Sequence, residues 1–316
     1  MIYTLTLNPA VDRELQVTGI RYNRVLRAEK WRVDVGGKGF NVSRMLKALG
    51  EDSMALAFAG GHAGRFLQEG LQELGVATEF AWIPGETRSN VSIVDRQQQR
   101  YIKVNEPGPT VPPEAQEAML TKIRSLARRG DWWVLSGSLP PGVPAHYYAT
   151  VIRALNDVGA HTVLDTSGPA LHVGCQAAPY VVKPNRAELG ELTGLPTQTP
   201  EQWVAAARRV LALGAHYVAV SLGEEGALLA TNDEVWLARP PRIHERNPIG
   251  AGDSMVGGLV WALRQGLPPQ EILAAGVACG AATAALDGTA VGSLAAVQEL
   301  LPQVVCIRMN HDSSTR

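Results

Sequence analysis

From about residue 112 to residue 221 the chain repeats one pattern: a helical stretch, then a short apolar run rich in β-formers. A helix ending by Arg129 leads to a strand at Trp132–Leu135, and a helix at about 144–158 leads to Thr162–Asp165. Tyr180–Val182 precedes a helix from Arg186, and a helix at about 201–213 runs into Tyr217–Ser221. Strands separated by helices pair in parallel, with the helices crossing over the sheet faces. The pattern therefore predicts an α/β fold with a mostly parallel sheet covered on both sides.

The N-terminal part keeps this rhythm. Ile2–Leu7 reads as a strand stopped by Asn8 and Pro9, and Val33–Val35 as the end of another before Gly36. Val42, Met45, Leu46 and Leu49 fall on one face of a helix that Gly50 ends. A strand at about 53–59 and a helix at about 63–74 follow. Two segments, about 12–35 and 79–105, break the rhythm with β-type sequence and no helical period, which predicts a small separate sheet. Two strand-like runs, Ala227–Ala230 and Val235–Ala238, precede a last region, from Gly252 to about Leu301, that is mainly helical. Its Ala-rich stretch Ile272–Leu286 is too short to span a bilayer and is broken by Gly276 and Gly280, so it reads as a buried helix. The expected organisation is one domain over 1–305 and a flexible tail over 306–316.

Composition narrows the function classes. Formal net charge is −1, which argues against a nucleic-acid or membrane-surface binder. Cys175, Cys279 and Cys306 are far apart with no CxxC spacing, so reduced thiols and a cytoplasmic location are expected. The seven histidines show no HxxxH or HExxH spacing, and no GxSxG elbow occurs.

Four local patterns carry chemistry. Gly250-Ala251-Gly252-Asp253 precedes an apolar helical run. Its glycines permit a tight turn, and the helix start adds free N–H groups and a positive dipole end, which suit an anion. Asp253 beside them can take a proton from an attacking hydroxyl, or can be an ordinary first-turn residue. Gly36-Gly37-Lys38-Gly39 followed by Asn41 suggests a phosphate contact, although it is not a Walker A loop. Asn185 and Glu188 are three apart at a helix start. They can supply oxygen to hydrated Mg²⁺ on a nucleotide, or can form a capping box. Ser221 and Gly223 sit where a strand ends, the edge at which α/β sheets bind ligands. Arg88 can pair with a phosphate, with Arg24, Arg27 and Lys103 in the same two β-type segments.

In this order, the segments resemble the ribokinase-like superfamily of sugar kinases, in its phosphofructokinase B branch. The resemblance runs from Thr4–Asp12 to about Gly292, and its matching segments include Gly36–Asn41, Thr87–Asn90, Ser136–Pro140, Val182–Glu188, Ser221–Gly223 and Gly250–Met255. It implies a three-layer ribokinase-like fold with a small β-sheet lid, the two β-type segments being the lid. It implies that Asp253 activates the acceptor hydroxyl and that Gly250, Ala251 and Gly252 form the anion hole. Lys183, Asn185, Ser221, Gly223 and Gly252 would contact ATP, and Asn185 and Glu188 would organise Mg²⁺, through water. Asp12, Gly37, Asn41, Asn90 and Ser138 would hold the sugar, with Lys38, Arg88 and Arg27 neutralising a phosphate already on it. The implied substrate is a phosphorylated ketohexose. Fructose 1-phosphate is the first choice; tagatose 6-phosphate and fructose 6-phosphate are alternatives. A nucleoside kinase and a non-catalytic sugar-phosphate sensor are more distant readings. A homodimer through the lid is also implied. Two residues depart from the family pattern. Pro248 replaces a common Thr where many members help form a monovalent-cation site, which puts K⁺ activation in doubt; Phe40 replaces an aliphatic residue.

Overall fold

The computed structural model describes residues 1–95, 97, 98 and 100–309. Strand β1 (Ile2–Thr6) is followed by β2 (Ala10–Val17), β3 (Lys30–Gly36), helix α1 (Lys38–Ala48), β4 (Met54–Ala59) and α2 (Gly61–Glu73). Next come β5 (Ala77–Trp82), β6 (Ser89–Asp95), β7 (Arg100–Asn105), α3 (Pro113–Leu126), β8 (Trp132–Ser136) and α4 (Tyr147–Asp157). The chain continues through β9 (His161–Asp165), α5 (Gly168–Cys175), β10 (Val181–Val182), α6 (Arg186–Thr193), α7 (Pro200–Leu211) and β11 (Tyr217–Ser221). It closes with β12 (Ala227–Ala230), β13 (Val235–Arg239), α8 (Ala251–Arg264), α9 (Pro269–Ala284), α10 (Leu294–Leu300) and β14 (Val305–Met309).

Among the described residues the main sheet runs β14-β13-β12-β11-β10-β9-β8-β1-β4-β5. It is parallel from β11 to β5 and antiparallel from β11 to β14. Alternation along each strand sorts side chains to two faces. Tyr3, Leu5, Trp133, Leu135, Leu164 and Val182 pack with α3 to α7. Ile2, Val134, Val163 and Val181 point the other way, toward α1 and α8. The result is the expected three-layer α/β arrangement with a core on each side of the sheet.

The second sheet, β3-β2-β6-β7, is the expected small sheet. Its boundaries need one correction. Residues 77–82, which the sequence places partly in the lid segment 79–105, form β5 at the edge of the main sheet. The alternation that suggested a lid strand arises because Phe80 faces Phe40 and Leu67 in a core cluster while its neighbours are more exposed. A second correction concerns the tail from 306. Residues 305–309 pair with β13 as an antiparallel edge strand. Such an edge position tolerates the mixed polarity that made the segment look unstructured. The rest of the predicted tail, 310–316, lies outside the described residues. No helix among the described residues is long and apolar enough to cross a membrane.

Candidate active site

The carboxyl ends of β1, β8, β9, β10 and β11 meet the starts of α1, α6 and α8 at one edge of the main sheet. Thr6, Ser136 and Asp165 stand side by side there in register. Each carries a buried oxygen with no hydrogen-bond partner among the described residues. Unpartnered buried polar atoms are costly, so this row fits a ligand or ordered water.

Asp253 lies in the first turn of α8 and is 7% exposed. Gly250, at φ 83°, holds the left-handed turn that launches the helix, a conformation that strains any side-chain-bearing residue. No side chain caps α8. Ala251 N–H turns back onto Pro248 O at 3.2 Å, leaving the amides of Gly252 and Asp253 as the free donors of the first turn. Asn41 Nδ2 donates to Asp253 Oδ2 at 2.9 Å. Burial and the neighbouring Asp165 charge push the Asp253 carboxyl up to about 6, against the opposing pull of Lys38, Asn41 and Lys183. A base poised near neutrality is what proton abstraction from a hydroxyl needs.

Asp165, at the end of β9, is the residue the sequence reading missed. Its Oδ1 accepts from Lys38 Nζ and lies 3.2 Å from both Lys38 and Lys183. Burial alone raises the Asp165 carboxyl, but the two ammonium groups outweigh it and hold it below the usual carboxylate range. The available signal was positional: an acid ending a strand at the ligand-binding edge of the sheet.

Asp12 and Asn90 come from adjacent lid strands, and Asn90 Nδ2 donates to Asp12 Oδ1 at 2.8 Å. Asn90 Oδ1 is buried without a partner among the described residues, and burial raises the Asp12 carboxyl. Both are acceptors suited to sugar hydroxyls. Gly36 is required beside them, because a Cβ there would sit 2.4 Å from Asp12 Oδ2.

At the other end of the site a cleft of about 1080 Å³ runs past Ser221, Gly223, Gly252, Val277 and Gly280. Asn185 and Glu188 form a reciprocal capping box at the start of α6, with bonds of 2.9 and 2.8 Å. The structural reading of this pair therefore holds, and each side chain keeps spare oxygen lone pairs.

Residues 5–296 match the family model described as pfkB family carbohydrate kinase. The chain belongs to the pfkB family of carbohydrate kinases. It is 37% identical to 1-phosphofructokinase of Bacillus subtilis, over 98% of this chain and 100% of that protein. It is 35% identical to tagatose-6-phosphate kinase of Staphylococcus epidermidis, over 86% of this chain and 88% of that protein. Among solved structures it is similar to phosphofructokinase-2 from Escherichia coli in complex with potassium. That match has a TM-score of 0.91 and 30% identity, covering 95% of this chain and 98% of the other. As a pfkB-family member the chain is a phosphotransferase with an alcohol group as acceptor.

Within this pfkB-family site, the geometry gathers most of the expected residues but distributes the positive charge differently. Lys38 pairs with Asp165, and Asp253 and Glu188 add to the field that holds it above the ordinary lysine range although it is partly buried. Arg88 donates through Nε and Nη2 to Asn8 O and through Nη1 to Glu106 O, tying the lid to the end of β1. Ser138 accepts a long bond of 3.4 Å from Asn8 Nδ2. Gly37 precedes α1 at φ 152°, directly before Lys38. Arg27 is not brought into this network; it lies on the exposed connection between β2 and β3.

Proposed function

We propose that this chain transfers the γ-phosphoryl group of ATP to fructose 1-phosphate, giving fructose 1,6-bisphosphate and ADP. At family level the reaction is ATP-dependent phosphorylation of a ketohexose phosphate. What carries the reading is Asp253, a buried carboxylate with a raised pKa at the uncapped start of a helix. The ionised Asp253 takes the proton of the acceptor hydroxyl as that oxygen bonds to the γ-phosphorus. The bond from the γ-phosphorus to the bridging oxygen breaks, and ADP leaves. The free amides of Gly252 and Asp253 offset charge developing on the moving group.

Roles follow from position. Lys183, Ser221, Gly223 and Gly252 lie along the cleft and the Asp253 end, and we assign them to the nucleotide. Lys38, held by Asp165 beside Asp253, is assigned to the transferred phosphoryl group. Asp12, Gly37, Asn41, Asn90 and Ser138 are assigned to the sugar, and Arg88 and Lys103, both close enough to act on Asp12, to its resident phosphate. Asn185 and Glu188 would hold Mg²⁺ through water, their remaining lone pairs being hard oxygen donors. When bound, Mg²⁺ neutralises charge on the phosphates. Carbonyls near Pro248 are taken by the chain's own donors: Ala284 O accepts from Arg246 and Asn247, and Gly288 O from Asn247 Nδ2. No step is assigned to a monovalent cation.

We also propose a homodimer through the lid. Strand register puts Trp31, Val33, Leu15, Ile93, Ile102 and Val104 on one face and Asp12, Asp34 and Asn90 on the other. Trp31 and Val104 are 73% and 58% exposed. A largely apolar sheet face, interrupted by Arg13, lies opposite the polar one and calls for a partner surface.

The test is kcat/KM with MgATP for fructose 1-phosphate, fructose 6-phosphate, tagatose 6-phosphate, fructose, ribose and adenosine. Preference for fructose 1-phosphate supports the proposal. Preference for another ketohexose phosphate changes the substrate, and turnover only with unphosphorylated acceptors overturns the role given to the lid's basic residues.

A further inference from the structure

Arg44 is absent from every role assigned above, yet it touches the residue that touches Asp253. It sits on α1 three positions after Asn41, so the two side chains share a helix face. Arg44 Nη1 donates to Asn41 Oδ1 at 3.2 Å, and Asn41 Nδ2 donates to Asp253 Oδ2 at 2.9 Å. The amide of Asn41 is thus held at both ends.

The two ends of an amide are chemically opposite, and only the NH₂ end favours an ionised carboxylate. With Arg44 absent, a protonated Asp253 can donate to Asn41 Oδ1 after the amide turns over. That arrangement favours the neutral acid, which cannot act as a base. With Arg44 present, turning the amide over sets its NH₂ against a guanidinium, which has no acceptor. The guanidinium is half-buried, and burial outweighs the favourable charge of Asp34 on β3, which itself pairs with Arg32 Nε at 2.6 Å. The Asn41 amide oxygen is thus a hydrogen-bond partner that Arg44 keeps at little cost.

We infer that Arg44 is a positioning residue of the transfer reaction, locking the Asn41 amide so that its NH₂ end faces Asp253. This rests on the reading of Asp253 as the base. The charged groups acting on Asp253 are Asp165 from β9, Lys38 from α1 and Lys183 after β10; those acting on Arg44 are Asp34 and Arg32 from β3.

The experiment is the pH profile of kcat/KM for wild type, Arg44→Met, Arg44→Lys, Asn41→Ala and Asn41→Ala/Arg44→Met, with thermal melts of each. Arg44→Met keeps the aliphatic stem. It is expected to lower kcat/KM on the acidic limb by about tenfold, the effect of raising the pKa of the base by about one unit. Its acidic limb should move to higher pH, with Arg44→Lys restoring much of both. In the Asn41→Ala background Arg44→Met should add nothing further, because its effect passes through that amide. An acidic limb unmoved in Arg44→Met, or a full additional loss in the double variant, overturns the inference. Near-normal turnover of Asp253→Asn instead removes the base reading on which it rests, so the two failures are distinguishable.

Discussion

Asp165 Oδ1 lies 3.2 Å from Lys183 Nζ, and the two side chains are 0% and 5% exposed. A charge pair so fully withdrawn from water keeps most of its Coulomb attraction, while either partner alone would carry a large desolvation cost. The same oxygen also holds Lys38, so one acid from β9 organises two cations from different parts of the chain. It also acts on Asp253 as a like charge, raising the pKa of the base.

Asp165→Asn should therefore have two separable effects. Removing the buried anion leaves Lys183 uncompensated and should cost about 3–5 kcal/mol of stability, measurable by urea unfolding. In the folded variant the acidic limb of kcat/KM should move to lower pH, because Lys38 and Lys183 then act on Asp253 without the opposing carboxylate. An unchanged limb would mean that Asp165 does not act on the base.

Asp253→Asn should reduce kcat by roughly 10²-fold or more while leaving ATP affinity nearly intact, as expected for loss of a general base. Binding of a non-hydrolysable ATP analogue, measured by calorimetry, separates the two. The same variant should be more stable than wild type at pH 7. The Asp253 carboxyl titrates at about 6 when folded against 3.8 for an ordinary aspartate, so the native state binds its proton more tightly. Wild-type stability from this group is lost as pH rises from about 4 through about 6 and is constant above. The gain in Tm of Asp253→Asn should accordingly be largest at pH 7–8 and shrink below pH 6. A lower Tm at pH 7 would contradict the raised pKa.

Arg88→Ala should raise KM for the sugar phosphate more than KM for ATP. Its guanidinium ties Asn8 O to Glu106 O, so the lid should also loosen. Faster hydrogen exchange in 89–95 and 100–105 than in wild type is expected. Equal KM effects on both substrates would place the resident phosphate elsewhere.

Trp31→Glu with Ile93→Glu should dissociate the proposed dimer by placing charges on its apolar sheet face. Analytical ultracentrifugation of wild type and variant decides it. A monomeric wild type at micromolar concentration would remove the dimer.

The sequence by itself determined the layered fold, because alternating residues and helix-stop glycines are local signals. Trp133 and Val134 go to opposite faces for no reason beyond strand geometry. It also made Gly250–Asp253 legible as a candidate site, since a glycine turn, a helix start and an acid all lie within four residues. Tertiary structure decided what local patterns cannot express. Lys38 and Asp165 are 127 residues apart, so no local pattern could show that they pair. Arg44 reads as an ordinary helix arginine until folding places Asn41 against Asp253, 212 residues away. Residues 77–82 and 305–309 joined the main sheet because an edge strand depends on which neighbour is there to pair, and that neighbour is set by the fold.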